Sequence, residues 1–297
     1  MMRNALKILI VLAIIGLAAF WWLTRPARVD PSELAGLSGD ATRGEMVFWA
    51  AGCASCHAAP KAEGEARLVL AGGMAFPSPF GTFHAPNISP DPVQGIGDWR
   101  LEDLVNAMKH GTGPGGAHYF PAFPYTSYAR ATVADIADLH AFLATLPASA
   151  TPNLPHEVGF PFNIRRSLGG WKLLFSRSGW VRPADGEQLQ RGRYLVEALG
   201  HCGECHTPRN ALGGLDYSRW LHGAPTPDGK GKVPGLTPDK LTWSALDIAS
   251  YLATGFTPEY DSAGGHMADV VQNLAHLPQS DLQAITAYLM ALPASGG

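Results

Sequence analysis

The sequence predicts an all-α protein: two helical modules in tandem behind one N-terminal transmembrane helix. Three observations lead there. An uncharged apolar run opens the chain, all four cysteines fall in two short motifs of one pattern, and the surroundings of those motifs repeat.

At 297 residues the chain is long enough for two domains that each bury a core. With 46% hydrophobic and 16% charged residues it is neither disordered nor polyionic, and a net charge of -3 gives no reason to expect nucleic acid. The 34 glycines and 24 prolines point to ordered loops joining short helices.

The apolar run, Ile8 to Leu23, is sixteen residues without a charge, and Lys7 extends it towards Ala5 by snorkelling. Arg3 and Lys7 set its N-terminus on the cytoplasmic side, while Trp21 and Trp22 suit the far interface. The rest is expected outside the cytoplasm. A cleaved signal peptide is the competing reading, but Phe20, Trp21, Trp22, Leu23 and Arg25 make a poor cleavage site.

The cysteine motifs are Cys53-Ala-Ser-Cys56-His57 and Cys202-Gly-Glu-Cys205-His206, both C-x-x-C-H. Two thiols three residues apart on a helical turn can add to the two vinyl groups of one porphyrin, and the adjacent histidine then lies under the iron. Cys53, Cys56, Cys202 and Cys205 are therefore expected to attach two haem c groups, with His57 and His206 as axial ligands. Disulfides or a zinc site compete, but no cysteine is left over and each pair is followed by histidine.

RGEMVFWAAG precedes the first motif and RGRYLVEALGH the second. Downstream, DWRLEDLVNAMKHG parallels LTWSALDIASYLATG, with Trp99 and Trp243 each twelve residues before a helix-ending glycine. The halves close on DIADLHAFLATLPAS and DLQAITAYLMALPAS. The expected organisation is an anchor and tether over 1–37, a module of about three helices over 38–150, an ordered connector over 151–184 and a second module over 185–297. In the connector, Arg165 and Arg166 are read as a propionate contact or a structural pair.

A haem that only carries electrons needs a sixth ligand, and methionine is common. Met267, in GGHM, is the candidate in the second half, with His266 as second choice; a core methionine is the alternative. For the first half two counts disagree. Twelve residues after Gly111 lies Phe123, matching Met267 after Gly255, whereas sixty-one after His57 lies His118, matching Met267 after His206. Pairing GGAH with GGHM also selects His118. His110 is expected to be a favourable charge at a helix C-terminus, and His140 to lie at the surface.

CASCH, FGTFHAPNISPDP, FPAFPYTSY, GHCGECHTPRNALGG and GGHM resemble the membrane-anchored dihaem or multihaem cytochrome c proteins related to the cytochrome subunits of bacterial alcohol and aldehyde dehydrogenases. The resemblance covers nearly the whole soluble region. It implies class I cytochrome c modules in the periplasm, tethered to the bacterial inner membrane. They would pass electrons from a periplasmic dehydrogenase towards quinone, an oxidase or another cytochrome. Family members often carry methionine in a YPAMPY loop where this chain has FPAFPY, so Phe123 stands in the ligand's place. The first haem is then bis-histidine, or five-coordinate and open. His118 is the nearest histidine and His84 the runner-up, while a hydrogen bond from His118 to a propionate or the backbone is the competing role. Ligation by His118 would give the first haem the lower potential. A carrier with no catalytic residues is the leading class, and a haem enzyme acting on peroxide or a sulfur oxyanion is the rival.

Overall fold

The computed structural model describes residues 2–226 and 229–295. Helix α1, Met2–Leu23, leads into a tether that reaches the first half. That half holds α2 (Ala41–Ala50), α3 (Cys53–His57), α4 (Leu101–His110), α5 (Tyr125–Tyr128) and α6 (Val133–Leu143). Helix α7 (Ser167–Phe175) lies in the connector. The second half holds α8 (Glu187–Arg193), α9 (Gly203–His206), α10 (Ala245–Thr254), α11 (His266–Leu274) and α12 (Gln279–Met290).

The expectation of an all-α chain needs one correction. Each half carries a short antiparallel hairpin after its cysteine motif: β1 (Ala75–Ser78) with β2 (Gly81–His84), and β3 (Ala224–Pro225) with β4 (Lys232–Val233). The chain is mostly helical, and the hairpins are loops that pair with themselves where glycine and proline prevent helix.

In each half the first long helix crosses the last at a glycine. A Cβ at Gly44 would overlap the Asp138 carbonyl, and one at Gly192 the Ala284 carbonyl. Bidentate ion pairs flank the crossings: Arg43 binds Asp138 at 2.7 and 2.8 Å, and Arg191 binds Asp281 at 2.8 and 2.7 Å. The paired acids differ by one helical turn between the halves.

The second half has one more residue between this glycine and its first cysteine. It is absorbed in a π-helical stretch, Tyr194–Leu199, where Gly200 N donates to Leu195 O at 2.7 Å. The wider turn returns the chain to register, so that Gly52 (φ 66) and His201 (φ 39) both take left-handed backbone immediately before their cysteines.

Candidate haem sites

The two C-x-x-C-H motifs occupy α3 and the turn that ends in α9, and no disulfide joins the four cysteines. Among the described residues no three His, Cys, Asp or Glu side chains cluster as a zinc site would require. His57 Nδ1 donates to Pro86 O at 2.8 Å and His206 Nδ1 to Pro234 O at 2.7 Å. A carbonyl only accepts, so each imidazole carries its proton on Nδ1. Its Nε2 lone pair is left free, and no hydrogen-bond partner takes it among the described residues. Burial lowers the pKa of both rings, favouring the neutral form that binds metal. Two cysteines and one such histidine on a single turn fit the demands of a covalently held haem.

Further backbone bonds hold each proline in place. Gly72 N donates to His57 O at 2.8 Å and Gly223 N to His206 O at 2.7 Å. Ile88 N donates to Leu70 O, and Leu236 N to Leu221 O. Gly72 (φ 73) and Gly223 (φ 87) take left-handed turns there, and a Cβ on either would press into the neighbouring backbone. Sequence reading missed the two prolines. The signal was present in their similar distance after the histidine, 29 and 28 residues, although the hairpins between differ.

Residues 41–147 match the cytochrome c family. The diheme cytochrome c-type protein of Cereibacter sphaeroides is 59% identical over 294 residues, 99% of each chain. The chain belongs to the dihaem c-type cytochromes. The fructose dehydrogenase cytochrome subunit of Gluconobacter japonicus is 37% identical over 91% of this chain and 56% of its own length. The cytochrome c subunit of the quinone alcohol dehydrogenase of Gluconobacter oxydans is 35% identical over 85% and 54%. The chain thus spans about half the length of these two relatives.

As a dihaem cytochrome the chain binds two haem c groups. The loops after α4 and α10 bear on their sixth ligands. Both start at a left-handed glycine, Gly111 or Gly255. The bridge Thr112–His118 matches Phe256–Ser262. Tyr119 N donates to Gly111 O at 2.8 Å, as Ala263 N does to Gly255 O at 2.7 Å. His118 therefore corresponds to Ser262; Phe123 and Met267 share the same count from their glycines, but Met267 lies in α11 and Phe123 in the turn before α5. The pairing of His118 with Met267 is corrected. The ring of His118 is 3% exposed and committed elsewhere: Nε2 donates to Thr24 O at 2.9 Å, and Nδ1 accepts from Lys172 Nζ at 3.1 Å.

Met267, near the start of α11, is partly buried against the core, while His266 is exposed beside Phe76. His84 closes β2, with Nε2 3.4 Å from Glu157 Oε1 and Nδ1 buried without a partner. Phe123 packs on Tyr128 at 5.6 Å and Tyr119 at 6.1 Å, whereas Phe120 packs on Phe83 at 5.0 Å. His110 lies in the last turn of α4, where burial and then Lys109 and Lys172 lower its pKa. His140 is half-buried and donates from Nε2 to Trp99 O at 3.0 Å. Arg165 donates to His118 O at 3.0 Å, and Arg166 to Trp21 O.

The motifs meet across the boundary between halves. Ser55 and Glu204 hold the same place in C-x-x-C-H. Ser55 Oγ accepts from Asn273 Nδ2 of α11 at 2.6 Å, and Glu204 Oε1 accepts from Thr126 Oγ1 and Ser127 Oγ of α5 at 2.6 and 2.9 Å. Each motif thus leans on the segment before the other half's last helix. Tyr128 Oη donates to Ala51 O at 2.8 Å, and its ring stands edge-on to His201 at 5.6 Å. Burial pushes the Glu204 carboxyl up, but Arg209, Thr126 and Ser127 outweigh it and hold the pKa below the usual range.

Proposed function

We propose that this dihaem cytochrome is a membrane-tethered electron carrier, taking electrons from a periplasmic dehydrogenase and passing them towards the respiratory chain. The reciprocal packing of the two C-x-x-C-H motifs carries the reading: a shared interface shortens the path between two redox centres. In it, 38–150 and 185–297 are class I cytochrome c modules. Residues 151–184 connect them, and 1–37 anchor and tether the chain to the inner membrane. Cys53 and Cys56 hold the first haem and Cys202 and Cys205 the second, each supplying a reversible one-electron site. His57 and His206 are the proximal ligands, oriented by Pro86 and Pro234. The relatives described as dehydrogenase cytochrome subunits support the choice of donor.

Met267 is the sixth ligand of the second haem. Phe123 has no atom that binds iron, so the first haem takes no ligand from the matching position. That observation also favours a second reading, an open first haem that binds a small molecule. The test is spectroscopic. Met267→Ala is expected to abolish the methionine-to-iron charge-transfer absorption of the oxidised protein, and Phe123→Met to add a second such signal. Rapid carbon monoxide binding by the reduced wild type, lost in Phe123→Met, selects the open site. An unchanged spectrum in Met267→Ala removes Met267 from the ligand set.

A further inference from the structure

The connector presents several largely exposed apolar side chains. Phe160 is 82% exposed, Leu174 71%, Leu173 60%, Ile164 46% and Phe162 44%. Scattered exposed apolar residues are ordinary, but a run of them on one short segment marks a contact surface. The position of this segment names the contact.

Helix α1 has 22 residues, a length of about 33 Å, against a hydrocarbon core of about 30 Å. Its last turn, Phe20 to Leu23, must therefore lie at the bilayer boundary when the helix spans. Helix α7 is fastened to that turn. Arg166 donates to Trp21 O and sits 4.1 Å over its ring, Gly169 packs against the buried Thr24, and Gly170 lies beside Phe20. The segment that displays Leu173 and Leu174 thus begins at the headgroup level.

We propose that the connector from Phe160 to Leu174 is a second, peripheral membrane contact, its apolar side chains seated in the lipid boundary beside α1. Exposed apolar residues suit that zone, where apolar side chains reach the boundary of headgroups and acyl chains. The contact restrains more than the connector. Lys172 Nζ bonds His110 O and Gly111 O at 2.6 and 2.7 Å, and Arg165 bonds His118 O, so the loop carrying Phe123 is held at a set height above the membrane. A single flexible tether would leave that height free.

The inference rests on α1 being retained as an anchor, and one experiment separates the two. A benzophenone side chain is introduced at Leu174, at Phe160 and, as control, at Leu246, which is 76% exposed on α10. The full dihaem chain is irradiated in nanodiscs of equal phosphatidylcholine and phosphatidylglycerol, and in native membranes. Wild-type haem spectra confirm that each variant folds. Lipid adducts several-fold more abundant at 174 and 160 than at 246 are expected in both settings. Equal yields at the three positions, or adducts at 174 to a protein in native membranes, overturn the proposal with α1 intact. A mature chain whose mass lacks α1 overturns the anchor reading as well.

Discussion

Glu197 joins three parts of the chain, and removing its charge gives a measurable loss. Its side chain is 0% exposed and that of its partner Arg130 2%, with Nε to Oε2 at 3.8 Å. Oε2 also accepts from Val181 N at 2.7 Å, and Oε1 accepts from Arg182 N at 3.0 Å and Tyr288 Oη at 2.5 Å. Glu197 belongs to the second half, Arg130 to the first, and Val181 and Arg182 to the connector. Glu197→Gln keeps the shape, leaves the Arg130 guanidinium uncompensated and turns an acceptor into a donor facing donors. Breaking a buried pair on one side costs about 3–5 kcal/mol, a large part of a total of about 5–15 kcal/mol. At about 2–4 °C per kcal/mol for a chain of this size, the melting temperature falls by about 6–20 °C. Far-UV circular dichroism and haem absorbance of the holoprotein follow the melt. Glu197→Gln combined with Arg130→Met removes both charges and is expected to recover much of the loss. A single variant costing under about 1 kcal/mol, as a screened surface pair would, or a double variant whose loss is the sum of the singles, refutes the reasoning.

Two further outcomes follow from the same geometry. Gly192→Ala and Gly44→Ala each drive a methyl into a carbonyl of the crossing helix, at about 1–3 kcal/mol; a denaturant midpoint equal to wild type would show that the helices separate freely. Outside the C-x-x-C-H motifs, His110, His118, His156, His201 and His276 have pKa values lowered from 6.5, chiefly by burial. The folded state then binds fewer protons than the unfolded state below pH 6.5, so this contribution is complete above 6.5 and lost as pH falls. The melting temperature is expected to drop between pH 7 and 5, and a flat or rising profile contradicts it.

The cofactor was legible because the chemistry of attachment is local. Two thiols and a histidine within five residues need only one helical turn, so C-x-x-C-H carries its meaning in any fold. The helix-ending glycines were equally readable, and Gly111 and Gly255 do cap α4 and α10 in left-handed conformation. The two counts towards the sixth ligand disagreed for a reason visible only in three dimensions. His57 and Gly111 are 54 residues apart, but His206 and Gly255 only 49. That difference lies upstream of the glycines, in segments that include hairpins of unequal length, while the turns just after the glycines, as far as Tyr119 and Ala263, bond alike. Counting from the histidine crossed that variable segment, whereas counting from the glycine started beyond it.

By itself the sequence determined the cofactor, the repeat, the apolar N-terminal helix and the absence of methionine at 123, because each depends on residue type and short-range spacing. Only the tertiary structure decided which groups the His118 ring bonds, which carbonyls orient His57 and His206, and how the two motifs meet. Those outcomes depend on contacts between segments far apart in the chain, such as Ser55 with Asn273 and Glu204 with Thr126. No local pattern encodes such pairings. They form when helices cross closely enough, at Gly44 and Gly192, to bring the segments together.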